Sequence, residues 1–174
     1  MEKPQKALSV AFLFDDTLDS NDGVAQYVKT VGAFMSHSGH RVSYLVGQSK
    51  TAAWEGGRVY SLSKNLPIAW GGNRLSMSLL AKTDLISKAI KENKFDIVHV
   101  QVPYSPFMAQ RVINRIDQQT AVIGTFHVYP PNKIILLGSK ILRIVYGKSL
   151  KRFDYHLSVS AAARSYAKQA FGIT

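Results

Sequence analysis

LSVAFLF, residues 8–14, runs directly into DDTLDSNDG, residues 15–23. The first stretch is apolar at every position except Ser9, as a strand buried on both faces of a parallel sheet requires. The second is polar, rich in turn-forming residues, and ends at Gly23. Val24, Val28, Val31 and Met35 then recur at helical spacing, with Tyr27 and Phe34 widening the stripe. Gly39 is placed to stop that helix. Strand, polar loop and amphipathic helix in this order form the opening unit of an alternating α/β fold.

The rest of the chain repeats the unit. RVSYLV (41–46) reads as a second strand and residues 58–62 as a weaker third. Residues 63–76 hold two glycines, a proline and a tryptophan and read as a long loop of the kind that carries function. Leu79, Thr83, Ile86 and Ile90 share one helical face, opposite Asp84, Lys88 and Lys91. FDIVHV (95–100) is a further strand, after which Pro103 and Pro106 open a helix. AVIGTF (121–126) is another strand and ends at His127. Pro130 and Pro131 break the chain, and residues 134–152 form a basic amphipathic helix. YHLSV (155–159) is the last strand, and Ser160 caps a helix that Gly172 ends. The expected fold is α/β: one Rossmann-like domain over residues 1–174, with a mostly parallel sheet and helices on both faces.

Composition narrows the function classes. The 174 residues include no cysteine, which excludes a disulfide framework, a thiol nucleophile and a thiolate metal site. A hydrophobic share of 46% and a charged share of 19% exclude a disordered chain. Lysine and arginine number 22 against 11 acidic residues, a net charge of +11 that points to a polyanionic partner. Nucleic acid, nucleotide phosphates and an anionic membrane all qualify. No signal peptide is visible and no apolar run approaches the roughly 18 residues of a spanning helix. The expected location is cytoplasmic, with the inner face of the membrane as the surface a peripheral form would meet.

Ligands of open parallel sheets bind beyond the carboxyl ends of the strands, where strand order reverses. The segments leaving strands at that edge are 15–23, 101–106, 127–133 and the turn at Ser160. Gly23 opens a helix whose free N–H groups suit a phosphate, although a lone glycine is no dinucleotide fingerprint and Asp22 would repel an anion. His127 stands at the ligand edge, where a neutral imidazole bonds a sugar hydroxyl or a phosphate oxygen; the competing reading is a histidine packed at a strand end. Tyr104 is a further candidate for substrate binding. His99 lies within its strand and reads as a core residue, and His37 and His40 flank a helix end. Asp15, Asp16, Asp19 and Asp22 share one loop, but lack cation-loop spacing and read as turn formers. No carboxylate pair, Ser-His-Asp order or metal-ligand spacing emerges.

Between Lys133 and Arg152 the chain carries six basic residues and no acidic one. Lys140, Arg143 and Lys151 on this helix, with Lys82 and Lys88 on a more dilute basic stretch, are candidates for contact with anionic lipid headgroups. The competing reading is an ordinary surface helix. Tyr146 is the one aromatic in either stretch, too few to stack a run of bases, so nucleic acid is not expected.

These residues resemble a known family. The unit Val10 to Gly47, with DGVAQYV and SGHRVSYLVG, together with FDIVHVQVP, TFH (125–127) and YHLSVSAAARSYAKQAFG, is similar in order and spacing to the start of family-four retaining glycosyltransferases. Within that family the likeness is greatest to bacterial phosphatidylinositol mannosyltransferases, through Arg74, the basic helix near Lys82 and LSVSAAAR. The resemblance implies a GT-B fold of two Rossmann-like domains. In that arrangement this chain is the amino-terminal, acceptor-side half, and the donor domain lies outside it. It further implies a nucleotide-sugar donor as substrate, a sugar or lipid acceptor, a metal-free reaction and no cofactor. His127 would lie near the donor sugar, Gly23 and Arg74 near the phosphate-bearing groups, and Lys133 at the family's loop lysine. The chain departs from the pattern where Asp22-Gly23 replaces a glycine pair and where Val102 stands at an acidic position. A single half is expected to be inactive alone. The alternative is a stand-alone binding module of the same fold that docks on an anionic membrane or another polyanion.

Overall fold

The computed structural model describes residues 6–64, 66–70, 73–77, 81–127 and 133–173, and only the backbone at 66–70, 73–77 and 133–135. Strands β1 (Ser9–Phe14), β2 (Arg41–Val46), β3 (Ala53–Trp54), β4 (Gly57–Ser61), β7 (Ile97–Gln101), β8 (Ala121–Phe126) and β9 (Tyr155–Ser158) form a seven-stranded sheet. Its order is β3-β4-β2-β1-β7-β8-β9. Every neighbouring pair is parallel except β3 and β4. The order steps outward in one direction from β1 to β2 and in the other from β1 to β7, so the switch point lies between β1 and β7. This is the expected Rossmann-like architecture.

All six residues of β1 are buried, which explains the unbroken apolar run that identifies it. Helix α1 (Gly23–His37) starts where the Asp22 carboxylate accepts from the N–H groups of Val24 and Ala25 at 2.8 and 3.0 Å. It ends at Gly39, whose φ of 86° suits only glycine without strain. Its buried side packs Ala25 and Val28 against Phe12 and Tyr44, and Gly32 lets the Tyr44 ring pass beneath the helix. Helices α2 (Thr83–Asn93) and α3 (Met108–Ile113) bury Ile86, Ala89, Met108 and Val112 in a second core with Leu13, Val98 and Val100. Alternate residues of β1 and β7 thus feed opposite faces of the sheet.

One expectation is corrected. Residues 63–76 are not a long loop, because Leu66–Trp70 (β5) and Asn73–Met77 (β6) pair antiparallel, with Trp70 opposite Asn73. Gly71-Gly72 between stretches with apolar residues at alternate positions, Leu66, Ile68 and Trp70 before it and Leu75 and Met77 after it, is a hairpin signal that outweighs the loop reading of proline and glycine. Helix α4 (Lys133–Leu150) falls where the basic amphipathic helix is expected. Its Ser139 and Ser149 are buried, whereas Leu137, Ile141, Ile144 and Val145 are exposed. The apolar stripe therefore looks outward. Ser160 caps α5 (Ala161–Tyr166) by accepting from the Ala163 N–H at 3.1 Å. That helix runs into a π-helical turn (Ala167–Phe171) and stops at Gly172, as the sequence implies.

Candidate functional site

The carboxyl edge at the switch point is organised by two aspartates from the loop after β1. Asp15 accepts from the Ala109 N–H at 2.8 Å and from the Ser105 hydroxyl. It thereby supplies a cap to α3, whose own entry residue Phe107 offers none. Asp19 accepts from Ser49, from the Lys50 N–H and from the hydroxyl and N–H of Thr51. Burial is the largest single influence and raises its pKa, but the four hydrogen bonds together outweigh it and hold the carboxyl well below the usual carboxylate range. Asp22 is spent on α1, and Asp16 accepts from the Thr17 N–H. The four aspartates tie loops and helix starts together. Among the described residues no three His, Asp or Glu gather as a metal site would need.

His127 follows β8 immediately and is half-buried on the α1 side of the sheet. Its Nε2 lies 2.7 Å from Gln101 Oε1 at the end of β7, and its ring meets the Tyr27 ring edge-on at 5.0 Å. Burial lowers its pKa, partly opposed by the Asp22 charge, so the ring is neutral near pH 7. Tyr27 and Asp22 belong to the start of α1, and the structure therefore brings His127 and the Gly23 turn to one part of the sheet edge. A Cβ built at Gly23 meets nothing within 4 Å, which leaves open space above the turn. The adjacent N–H groups of Val24 and Ala25 are already satisfied by Asp22. His99 sits behind, buried beside Phe12, with Nε2 2.6 Å from the Thr125 hydroxyl. Burial, aided by nearby His127, lowers its pKa to about 4. It is a core histidine, as its place within the strand implies.

Other candidates fall elsewhere. Tyr104 packs among Phe126, Tyr166 and Phe171 at ring distances of 5.6, 5.5 and 5.0 Å, and burial raises its pKa strongly. Its ring serves an aromatic cluster on the opposite face from His127. Arg74 lies on β6 and Lys133 opens α4, and both side chains are outside the described residues. Lys82, Lys88, Lys140, Arg143 and Lys151 are all exposed, although Lys88 is 3.8 Å from Glu92 and Arg143 lies against Gly172. Gln101 and Asp15 are the site residues that sequence reading missed. Gln101 shares a strand face with His99 by simple alternation, a signal that was available. Nothing in the sequence marked Asp15 as the cap of a helix about ninety residues away. Val102, directly after Gln101, takes φ 54°, rare for a β-branched residue, and turns the chain out of β7.

An open, mostly parallel sheet with a histidine and a helix start at its switch edge defines a Rossmann-like α/β domain whose ligand edge is that crevice. The solved structures it resembles narrow the class. One, an alpha-glucosyltransferase in complex with UDP-glucose and DNA containing an abasic site, gives a TM-score of 0.55 at 14% identity over 97% of this chain and 41% of that one. Another, an alpha-glucosyltransferase in complex with UDP and a 13-mer DNA containing a HMU base, gives 0.51 at 14% identity over 88% and 38%. The fold is that of a GT-B amino-terminal domain. The model of Glycosyltransferase Family 4 matches residues 21–174, and the chain belongs to that family. A phosphatidyl-myo-inositol mannosyltransferase of Mycolicibacterium smegmatis is 25% identical over 158 residues, which are 90% of this chain and 39% of that protein. The chain thus spans about two-fifths of the relatives it matches.

Proposed function

We propose that this chain is the acceptor-side domain of a retaining glycosyltransferase that moves a sugar from a nucleotide-sugar donor to an acceptor hydroxyl. Its donor domain would be contributed by further chain, since the relatives are more than twice as long. The observation that carries the reading is His127, held neutral at the sheet's ligand edge beside the start of α1, in a chain of this family. His127 would steady the transferred sugar, while the open space at Gly23 admits the phosphate-bearing groups. Catalysis would then come from positioning in a closed cleft and from stabilising the departing diphosphate. In the full-length enzyme, His127→Ala should lower kcat/KM roughly 100-fold, as loss of one positioned polar group does. Turnover equal to wild type would remove His127 from the site.

A membrane lipid is the acceptor class the rest of the surface favours. Helix α4 exposes Leu137, Ile141, Ile144 and Val145 beside Lys140, Lys148 and Lys151, the pattern of a helix that lies in an anionic interface. No helix among the described residues is long and apolar enough to cross a membrane. Flotation with phosphatidylserine vesicles, compared with phosphatidylcholine alone, tests this: binding should need the anionic lipid and fail in Ile144→Glu. Equal recovery on both vesicles would exclude the electrostatic half of the idea.

A further inference from the structure

We infer that Gln101 is a positioning residue for His127: it fixes the proton of the neutral ring on Nε2 and leaves Nδ1 as the ring's acceptor. This rests on the reading of His127 given above. Gln101 is 1% exposed, so its amide is shut off from bulk solvent and depends on partners within the fold. The two ends of the amide meet different neighbours. Nε2 donates to the His99 carbonyl at 3.3 Å, a group that only accepts. The opposite amide orientation would set two acceptors against each other. Oε1 therefore faces His127 Nε2, at 2.7 Å. An amide oxygen also only accepts, so the hydrogen of that bond belongs to the imidazole. A neutral imidazole carries one such hydrogen, and Nδ1 is left with its lone pair.

The neighbouring histidine shows what the lock adds. His99 Nε2 meets a hydroxyl, Thr125 Oγ1, which donates or accepts equally well and leaves the His99 tautomer open. Among the described residues, the groups facing His127 are Gln101 and His99 from β7, and Asp22 and Tyr27 from α1. With Nε2 committed to Gln101, the remaining nitrogen receives an O–H or N–H and gives nothing to a phosphate oxygen. His127 is thereby set up for a hydroxyl-bearing ligand group.

Imidazole proton–nitrogen correlation spectra of the ¹⁵N-labelled chain, at a pH where its histidines are neutral, test the lock without any donor. His127, assigned by the loss of its signals in His127→Asn, should carry its proton on Nε2 and show a ring N–H protected from exchange. Gln101→Leu should lose that protected resonance. Gln101→Glu, which keeps an acceptor there, should retain it and raise the His127 pKa above that of wild type. A wild-type proton on Nδ1, or a His127 spectrum unchanged in Gln101→Leu, overturns the inference. Should the leucine variant not fold, an unchanged His127 titration in Gln101→Glu overturns it instead. These signals are read without sugar transfer, so the lock and the proposed role of His127 can each fail alone.

Discussion

Helices α1 and α4 flank the same sheet and end in different circumstances. The core side of α1 is used up by the fold: Ala25, Val28 and Gly32 are buried over Phe12 and Tyr44, and Tyr27 reaches His127. Phe34 is its one large apolar residue left outside, and single exposed apolar side chains are ordinary. On α4 the serines face in while four aliphatic side chains face out, with Ile144 82% exposed. The neighbouring edge strand β9 adds Tyr155 and Leu157 to the exposed apolar residues, and Val159 follows directly. Apolar area spent inside stabilises the domain, whereas contiguous apolar area outside costs solubility and is retained for a partner. The core side of α1 is built into the fold, whereas the outward stripe of α4 lies outside the cores that Leu136 and Leu150 of the same helix join.

The contrast is broken most severely at Phe12. It is 1% exposed, stacks on Tyr44 at 5.9 Å and lies against His99 at 5.3 Å. Phe12→Ala should destabilise the domain by about 3–5 kcal/mol, the usual cost of emptying a buried aromatic site, read from the urea midpoint. A loss below 1 kcal/mol would mean that the α1 flank is not the well-packed one.

Acid should expose the same asymmetry less strongly. His99 has a folded pKa of about 4 against an unfolded 6.5. Between those values the unfolded chain takes up a proton that the buried ring refuses. Stability therefore falls as pH drops through 6.5 towards 4, by about 3 kcal/mol at the foot of the window. His127 and His156, both lowered by burial, act in the same direction. His99→Gln, which retains a partner for Thr125, should flatten the slope of urea midpoint against pH; an unaltered slope would mean His99 is not its source.

The α1 flank was legible because local and global signals agree there. An uninterrupted apolar strand, a polar loop, a 3.6-residue stripe and terminal glycines all demand the same arrangement. On the basic helix, periodicity reveals that a stripe exists but not which way it points. Ile141 and Val145 form a face in either orientation, and only the burial of Ser139 against Tyr166, at 2.6 Å, settles that the serine side faces in. The hairpin is hidden for a related reason: proline and tryptophan mask the alternation on either side of Gly71-Gly72. His127 was readable from its place after a buried strand at the ligand edge. Gln101 was not singled out, because a glutamine's role depends on which neighbour each end of its amide meets, and that is set by pairing His99 with Ile123 and Gln101 with Thr125 across two strands.

The smallest expected effect is the one that separates the flanks most cleanly. Ile144 has little apolar contact to lose, so Ile144→Ser should change stability by less than about 0.5 kcal/mol, as substitutions at exposed sites do. The same change removes a large apolar side chain from the centre of the exposed stripe, between Ile141 and the basic residues Lys140 and Lys148. If the stripe lies in an interface, vesicle binding should weaken measurably while the urea midpoint stays put, because the free domain never used that side chain. A midpoint that falls as far as it does for a buried isoleucine would show that Ile144 packs within the domain, and the two helices would then no longer differ in kind.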